Sequence, residues 1–158
     1  MKCLVFKEGY CDKLGRPILF FIIRNFKPKN IDIPHFQRFC CYTINQAGAS
    51  MNENVDQFIM IVDCSGFSYA NWYVNHCKQM FWFISIINAG RQYTTILIKQ
   101  NLIVKGILKI VNTFLDDGIK AKFRFLMGDY QEKLLQIIDA ERLPKEYGGQ
   151  AENVSGVE

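Results

Sequence analysis

Apolar residues along this chain fall into short blocks separated by turn-forming segments. Asp12-Lys13-Leu14-Gly15-Arg16-Pro17 has the composition of a turn, and Ile18–Ile23 behind it is almost continuously apolar. Such a run suits a strand covered on both faces. Pro28 and Pro34 bracket an expected loop. From His35 to Ala47, Phe36, Phe39, Cys40, Thr43 and Ile44 recur at spacings of three and four, which predicts a helix with one buried face. Gly48 and the polar stretch Ser50–Asn54 end it. Gln57–Val62 is a second short apolar run, with Asp63 at its end and Gly66 opening the next turn.

The second half repeats this alternation. Ser68–Phe83 reads as a helix with Trp72, Val74, Cys77, Met80 and Phe81 inward, and Tyr93–Ile98 is a β-branched strand. Asn101 is placed to cap a helix over Leu102–Leu115, closed by Asp116-Asp117-Gly118. Ala121–Leu126 reads as a strand, and Tyr130–Ile138 as an amphipathic helix with Leu134, Leu135 and Ile138 on one face. Short apolar strands alternating with helices predict an α/β fold, one layered domain with a largely parallel sheet. Residues 1–149 form the expected domain and 150–158 a polar tail. The chain contains no repeat and no linker that divides it.

Composition narrows the function classes. The 158 residues are 49% hydrophobic and 22% charged, too apolar for a disordered chain. Thirteen Phe residues supply a lined cavity as readily as a Phe-rich core. A net charge of +4 is too small to argue for nucleic acid, so no nucleic-acid partner is expected. The six cysteines, Cys3, Cys11, Cys40, Cys41, Cys64 and Cys77, form no C-x-x-C pair, and His35 and His76 are the only histidines. No zinc pattern results, and reduced thiols of a cytoplasmic protein are the simplest reading. Met1–Gly9 is charged throughout, unlike a signal peptide, and Ile18–Ile23 is far too short to span a bilayer. No cysteine is followed by Arg at the C-x5-R spacing. G-x-S-x-G, H-E-x-x-H and the P-loop are absent too, so no enzyme is expected.

Four motifs in order carry a family resemblance. Leu143-Pro144-Lys145-Glu146-Tyr147-Gly148-Gly149 looks like the L-P-x-x-[YF]-G-G ending of the CRAL-TRIO, or phosphatidylinositol-transfer-like, family. Asp12 to Pro17 resembles its D-x-x-G-R-P turn, and Ile61-Val62-Asp63-Cys64-Ser65-Gly66 its hydrophobic-hydrophobic-D-x-x-G segment. Phe114-Leu115-Asp116, followed by Lys122, resembles its F-L-D…K-I segment, with Phe123 in place of the Ile. The matches span Asp12 to Gly149. The departures are as informative. Asn88-Ala89-Gly90-Arg91 stands where the family has Y-P-E-R, and Lys99-Gln100-Asn101 where it has N-A-P. The helical module that precedes the G-R-P strand in the family has no counterpart in this sequence.

The resemblance implies a cavity that encloses one lipid, closed by a mobile gating helix, here about Leu102–Leu115. That helix is apolar nearly all round, its polar stripe limited to Asn101, Lys105, Lys109 and Asn112. Expected cavity and gate residues are Phe58, Met60, Val62, Ile103, Ile107, Ile110, Val111 and Phe114. Lys105 and Lys109 would meet a membrane surface. Lys122 matches a family Lys that contacts an inositol phosphate, while Gly90 replaces the Glu that assists it. Gly15, Arg16, Pro17, Asp63, Arg91, Pro144, Tyr147, Gly148 and Gly149 are expected to be structural, with no catalytic or metal role. The implied function is to bind a phosphoinositide or another small lipophile and to carry or present it at membranes, with peripheral attachment and no cofactor besides the ligand. The competing expectation is a protein-interaction or lipid-sensing module of a signalling or GTPase-regulatory protein, with a protein partner in place of transfer.

Overall fold

The apolar block after the Gly15-Arg16 turn becomes a strand, β2 (Pro17–Ile22), in which every residue is buried. It lies inside a five-stranded sheet of order β1-β2-β3-β4-β5. The computed structural model describes residues 2–68, 90–111, 113, 115 and 117–154, and for Asn30, Ile107, Ile110 and Val111 the backbone alone. The helix predicted over Ser68–Phe83 falls almost wholly outside the described residues, as do Phe114 and Asp116.

β3 (Phe58–Asp63), β4 (Gln92–Ile98) and β5 (Phe123–Phe125) continue from β2 as parallel neighbours. β1 (Leu4–Cys11) adds an antiparallel edge beside β2. Periodicity gave no sign of β1, for a physical reason. An edge strand is half exposed, Lys7 and Glu8 interrupt its apolar residues, and Gly9 sits at φ 87° where the pairing register shifts. Charges and an irregular register on an edge keep a second chain from pairing there.

The turn into β2 shows why Asp, Gly, Arg and Pro recur together. The buried Asp12 carboxylate accepts the backbone N–H of Leu14 (3.0 Å) and Arg16 (2.8 Å), and Gly15 takes φ 81°. The Arg16 guanidinium lies 3.4 Å from Asp12 and 3.5 Å from the centroid of the Tyr93 ring on β4.

α1 (Ile33–Ala49) starts earlier than its hydrophobic spacing predicts. Asp32 caps it by accepting the His35 N–H at 2.9 Å, and Pro34 occupies a first-turn position where a missing N–H costs nothing. Pro34 therefore opens the helix and does not close a loop. α2 (Leu102–Val111) begins as expected, with Asn101 Oδ1 accepting the Val104 N–H at 2.9 Å. It is shorter than the predicted helix to Leu115. Asp117 opens a further helical turn, α3 (Asp117–Lys120), where the sequence pattern placed an ending. β5 is likewise shorter than the predicted Ala121–Leu126. α4 (Tyr130–Ile137) matches its amphipathic pattern, with Leu134 and Ile138 fully buried and Leu135 half-buried.

The two faces of the sheet are covered differently. Ile18, Phe20, Ile22, Ile59, Ile61, Ile96 and Ile98 pack with Leu134, Ile138, Leu143 and Tyr147 of the C-terminal segment. On the opposite face, Leu19, Phe21, Phe58 and Met60 pack under Phe36, Cys40, Ile44 and Ala47 of α1. Val62 borders both the layer under α1 and the layer under α2, so these two helices share one face and α4 takes the other. Tyr147 anchors the far side, stacked on Phe20 at 5.7 Å and 10°. Gly148 follows at φ 96°.

Candidate functional site

Beside the layer under α1, α2 packs on β3, β4 and β5 through Val62, Leu97 and Phe123. Cys64, Leu97 and Val104 are buried there, with Ile23, Val62, Phe67, Leu108 and Phe123 packed against them but only partly buried. Among the described residues this apolar layer therefore has more half-covered members than covered ones. The layers under α1 and α4 show the opposite balance. Leaving large apolar side chains half covered forfeits roughly 25 cal/mol for each Å2 kept in water.

The expected cavity residues separate in the fold. Phe58 and Met60 share a face with Val62, as alternation requires, yet both are buried in the α1 layer. Val62 is the member of that trio that borders both layers. Ile103 on α2 is half-buried, while the side chains of Ile107, Ile110 and Val111 lie outside the described set. Lys105 and Lys109 are exposed on α2. Leu97, Val104, Leu108 and Phe123 complete the layer and were not singled out from sequence. Strand register was the missing information, because it sets Leu97 beside Val62 and Thr95 beside Phe123.

Lys122 stands at the start of β5. Its ammonium donates to the Gln92 carbonyl at 3.0 Å, and its own carbonyl accepts from Thr94 Oγ1 and the Thr95 N–H, both at 2.8 Å. The residue thus ties two strand ends together. Gly90 is exposed, and a Cβ built there meets nothing within 4 Å, so a side chain has room at this position.

Two groups with an enzymatic look are engaged in holding the fold. Asp63, 1% exposed, accepts the Ser65 N–H at 2.9 Å and the Lys99 ammonium at 3.3 Å. Lys99 pays for this contact with a left-handed backbone at φ 53°, unusual for a residue with a side chain. Arg91 donates to Asn45 Oδ1 at 3.2 Å and packs so closely on α1 that a Cβ at Gly48 would overlap it. No cluster of three metal-ligating side chains occurs among the described residues. Nor is any helix there long and apolar enough to cross a membrane.

Burial raises the thiols of Cys3 to about 11, Cys40 to about 12 and Cys64 to about 12, the last with added repulsion from Asp63. A thiol raised in the fold contributes stability that is fully present below its ordinary value of 9.0 and is lost as pH rises from there through the folded value. Denaturation midpoints are therefore expected to hold up to about pH 9 and to fall between 9 and 12. Iodoacetamide at pH 8 is expected to modify the exposed Cys41 and the half-buried Cys11 in the native chain. Cys3, Cys40 and Cys64 are expected to react only after unfolding, which peptide mapping checks.

Comparison with known proteins agrees with this architecture. The solved crystal structure of Sfh5 has the same fold, at TM-score 0.67 and 16% identity. The likeness covers 94% of this chain and 55% of the Sfh5 chain, so this chain spans about half the length of that protein. The family model for the CRAL/TRIO domain matches residues 1–149. The chain therefore belongs to the CRAL/TRIO domain family, whose domain implies binding of a lipophile.

Proposed function

We propose that the chain binds one hydrophobic ligand beneath α2 and carries or presents it at membranes, without making or breaking a bond. The observation that carries this reading is the set of half-covered apolar side chains Val62, Phe67, Leu108 and Phe123 around the buried Leu97 and Val104. Each methylene moved there from water contributes roughly 0.8 kcal/mol, so an acyl chain or a ring system binds firmly without any charged contact. A bilayer offers an equally apolar alternative, which makes exchange possible once α2 moves aside. The exposed Lys105 and Lys109 favour an anionic surface by about 1 kcal/mol each.

Phosphoinositide recognition has weaker support. Lys122 is present but already donates to a backbone carbonyl, and Gly90 supplies no carboxylate. An uncharged lipophile fits the layer better. Titration with a pyrene-labelled acyl chain tests the reading. Saturation at one probe per chain is expected, and binding that never saturates would contradict it.

A further inference from the structure

The two ends of the sheet differ in charge and in exposed apolar surface. β2 to β5 run parallel and β1 starts beside the end of β2, so one edge collects the segments that follow each strand. That edge exposes Lys2, Lys27 and Lys29, with Lys105 and Lys133 on the first turns of α2 and α4, against Asp32, Asp129 and Glu132. None of Lys2, Lys27 and Lys29 forms an ion pair among the described residues. The opposite edge exposes Glu53, Asp56 and Asp117 against Lys13. Its half-buried Arg16 and Lys120 are paired with Asp12 and Asp117.

The cationic edge also carries uncovered apolar side chains. Leu102 is 83% exposed, Met127 56% and Phe125 43%. Gln100 draws them into one patch, because its amide donates to the carbonyls of Leu97 in β4 and Leu126 just beyond β5. The Lys133 ammonium reaches the Met127 carbonyl at 3.5 Å, which sets a cation beside the patch. Leu14 and Tyr93 are exposed at the opposite edge, but there Arg16 lies over the Tyr93 ring and the exposed charges are mostly acidic. Apolar side chains rimmed by cations suit a lipid surface, where the first enter the acyl boundary and the second stay with the phosphates. An acidic protein surface would match the lysines, whereas an anionic bilayer matches the lysines and the apolar side chains at once.

We propose that this edge, built from the segments after β2, β4 and β5, is the face that the chain lays on anionic membranes. Leu102, Phe125 and Met127 enter the headgroup boundary, and Lys2, Lys27, Lys29 and Lys133 lie on the phosphates around them. This rests on the reading above that the chain works at membranes. It adds an orientation, with the strands pointing towards the bilayer and the acidic edge away from it.

The test is sedimentation with vesicles of phosphatidylcholine alone, or of phosphatidylcholine and phosphatidylserine in equal parts. Binding to the anionic vesicles is expected to be at least about tenfold stronger. Lys27→Glu and Lys29→Glu should each weaken it about fivefold, and Leu102→Asp and Met127→Asp each about tenfold. All four positions are exposed, and an acid in the first turn of α2 favours the helix, so urea midpoints should stay unchanged. Lys13→Glu makes the same change in net charge at the opposite edge and should weaken binding by less than about twofold. Equal losses from Lys13→Glu and Lys27→Glu would mean attraction by net charge alone, which overturns the face. Binding that survives Leu102→Asp and Met127→Asp overturns it too. A chain that ignores anionic vesicles also overturns it and leaves the edge to an acidic protein surface. The pyrene-labelled acyl probe is titrated in parallel. Uptake of the probe without vesicle binding defeats the face alone, and vesicle binding at this edge without uptake defeats the ligand reading alone.

Discussion

Gly149→Ala is expected to cost about 3 kcal/mol of folding stability, read as a lower urea midpoint at unchanged slope. The reason is a backbone approach that no side chain tolerates. A Cβ at Gly149 would overlap the carbonyl carbon and oxygen of Leu143. That carbonyl cannot yield, because the Ala151 N–H holds it at 3.0 Å while the Leu143 side chain is fully buried. Gly148 faces a softer obstacle, the Gln131 side chain, but sits at φ 96°, which disfavours any Cβ. The matched control is Gly90→Ala, where the space is open and a change within about 0.5 kcal/mol is expected. A Gly149→Ala chain as stable as the control would mean that the C-terminal turn is not fixed against the body of the fold.

The second large effect concerns α2. Ile107→Asp and Val111→Asp are each expected to lower transfer of a fluorescent phospholipid between vesicles at least tenfold. On a helix whose sequence is apolar nearly all round, an ionised carboxylate costs several kcal/mol wherever that helix meets an apolar layer or a membrane interior. Circular dichroism should remain close to that of the unaltered chain if α2 acts as a gate, since the α1 and α4 layers carry most of the covered apolar surface. Transfer that survives both substitutions would place the gate elsewhere.

Much of this architecture was legible in the sequence, and the misses share a cause. β2, β3 and β4 announce themselves because strands covered on both faces must be apolar at nearly every position. α4 and the start of α2 follow from period and capping, Asn101 included. β1 was invisible because an edge strand answers to its neighbour's hydrogen bonds and not to a buried face. Pro34 misled because a proline inside a helix breaks it while one in the first turn does not.

The candidate site was less legible. Val62 could be placed on a face by alternation alone, but Leu97 and Phe123 join it only through register across three strands. Phe58 and Met60 share that face and still belong to the α1 layer, since one sheet face serves two helices. Nothing in periodicity marks Gln92 either. It is buried beside Thr95, and its Oε1 has no hydrogen-bond partner.

Native mass spectrometry of the purified chain shows whether it holds a lipophile. A species heavier than the bare polypeptide by one small lipophile is expected, released by organic extraction and identifiable by fragmentation. A chain that emerges only at its polypeptide mass, and takes up no lipophile when incubated with lipid vesicles, would contradict lipophile binding.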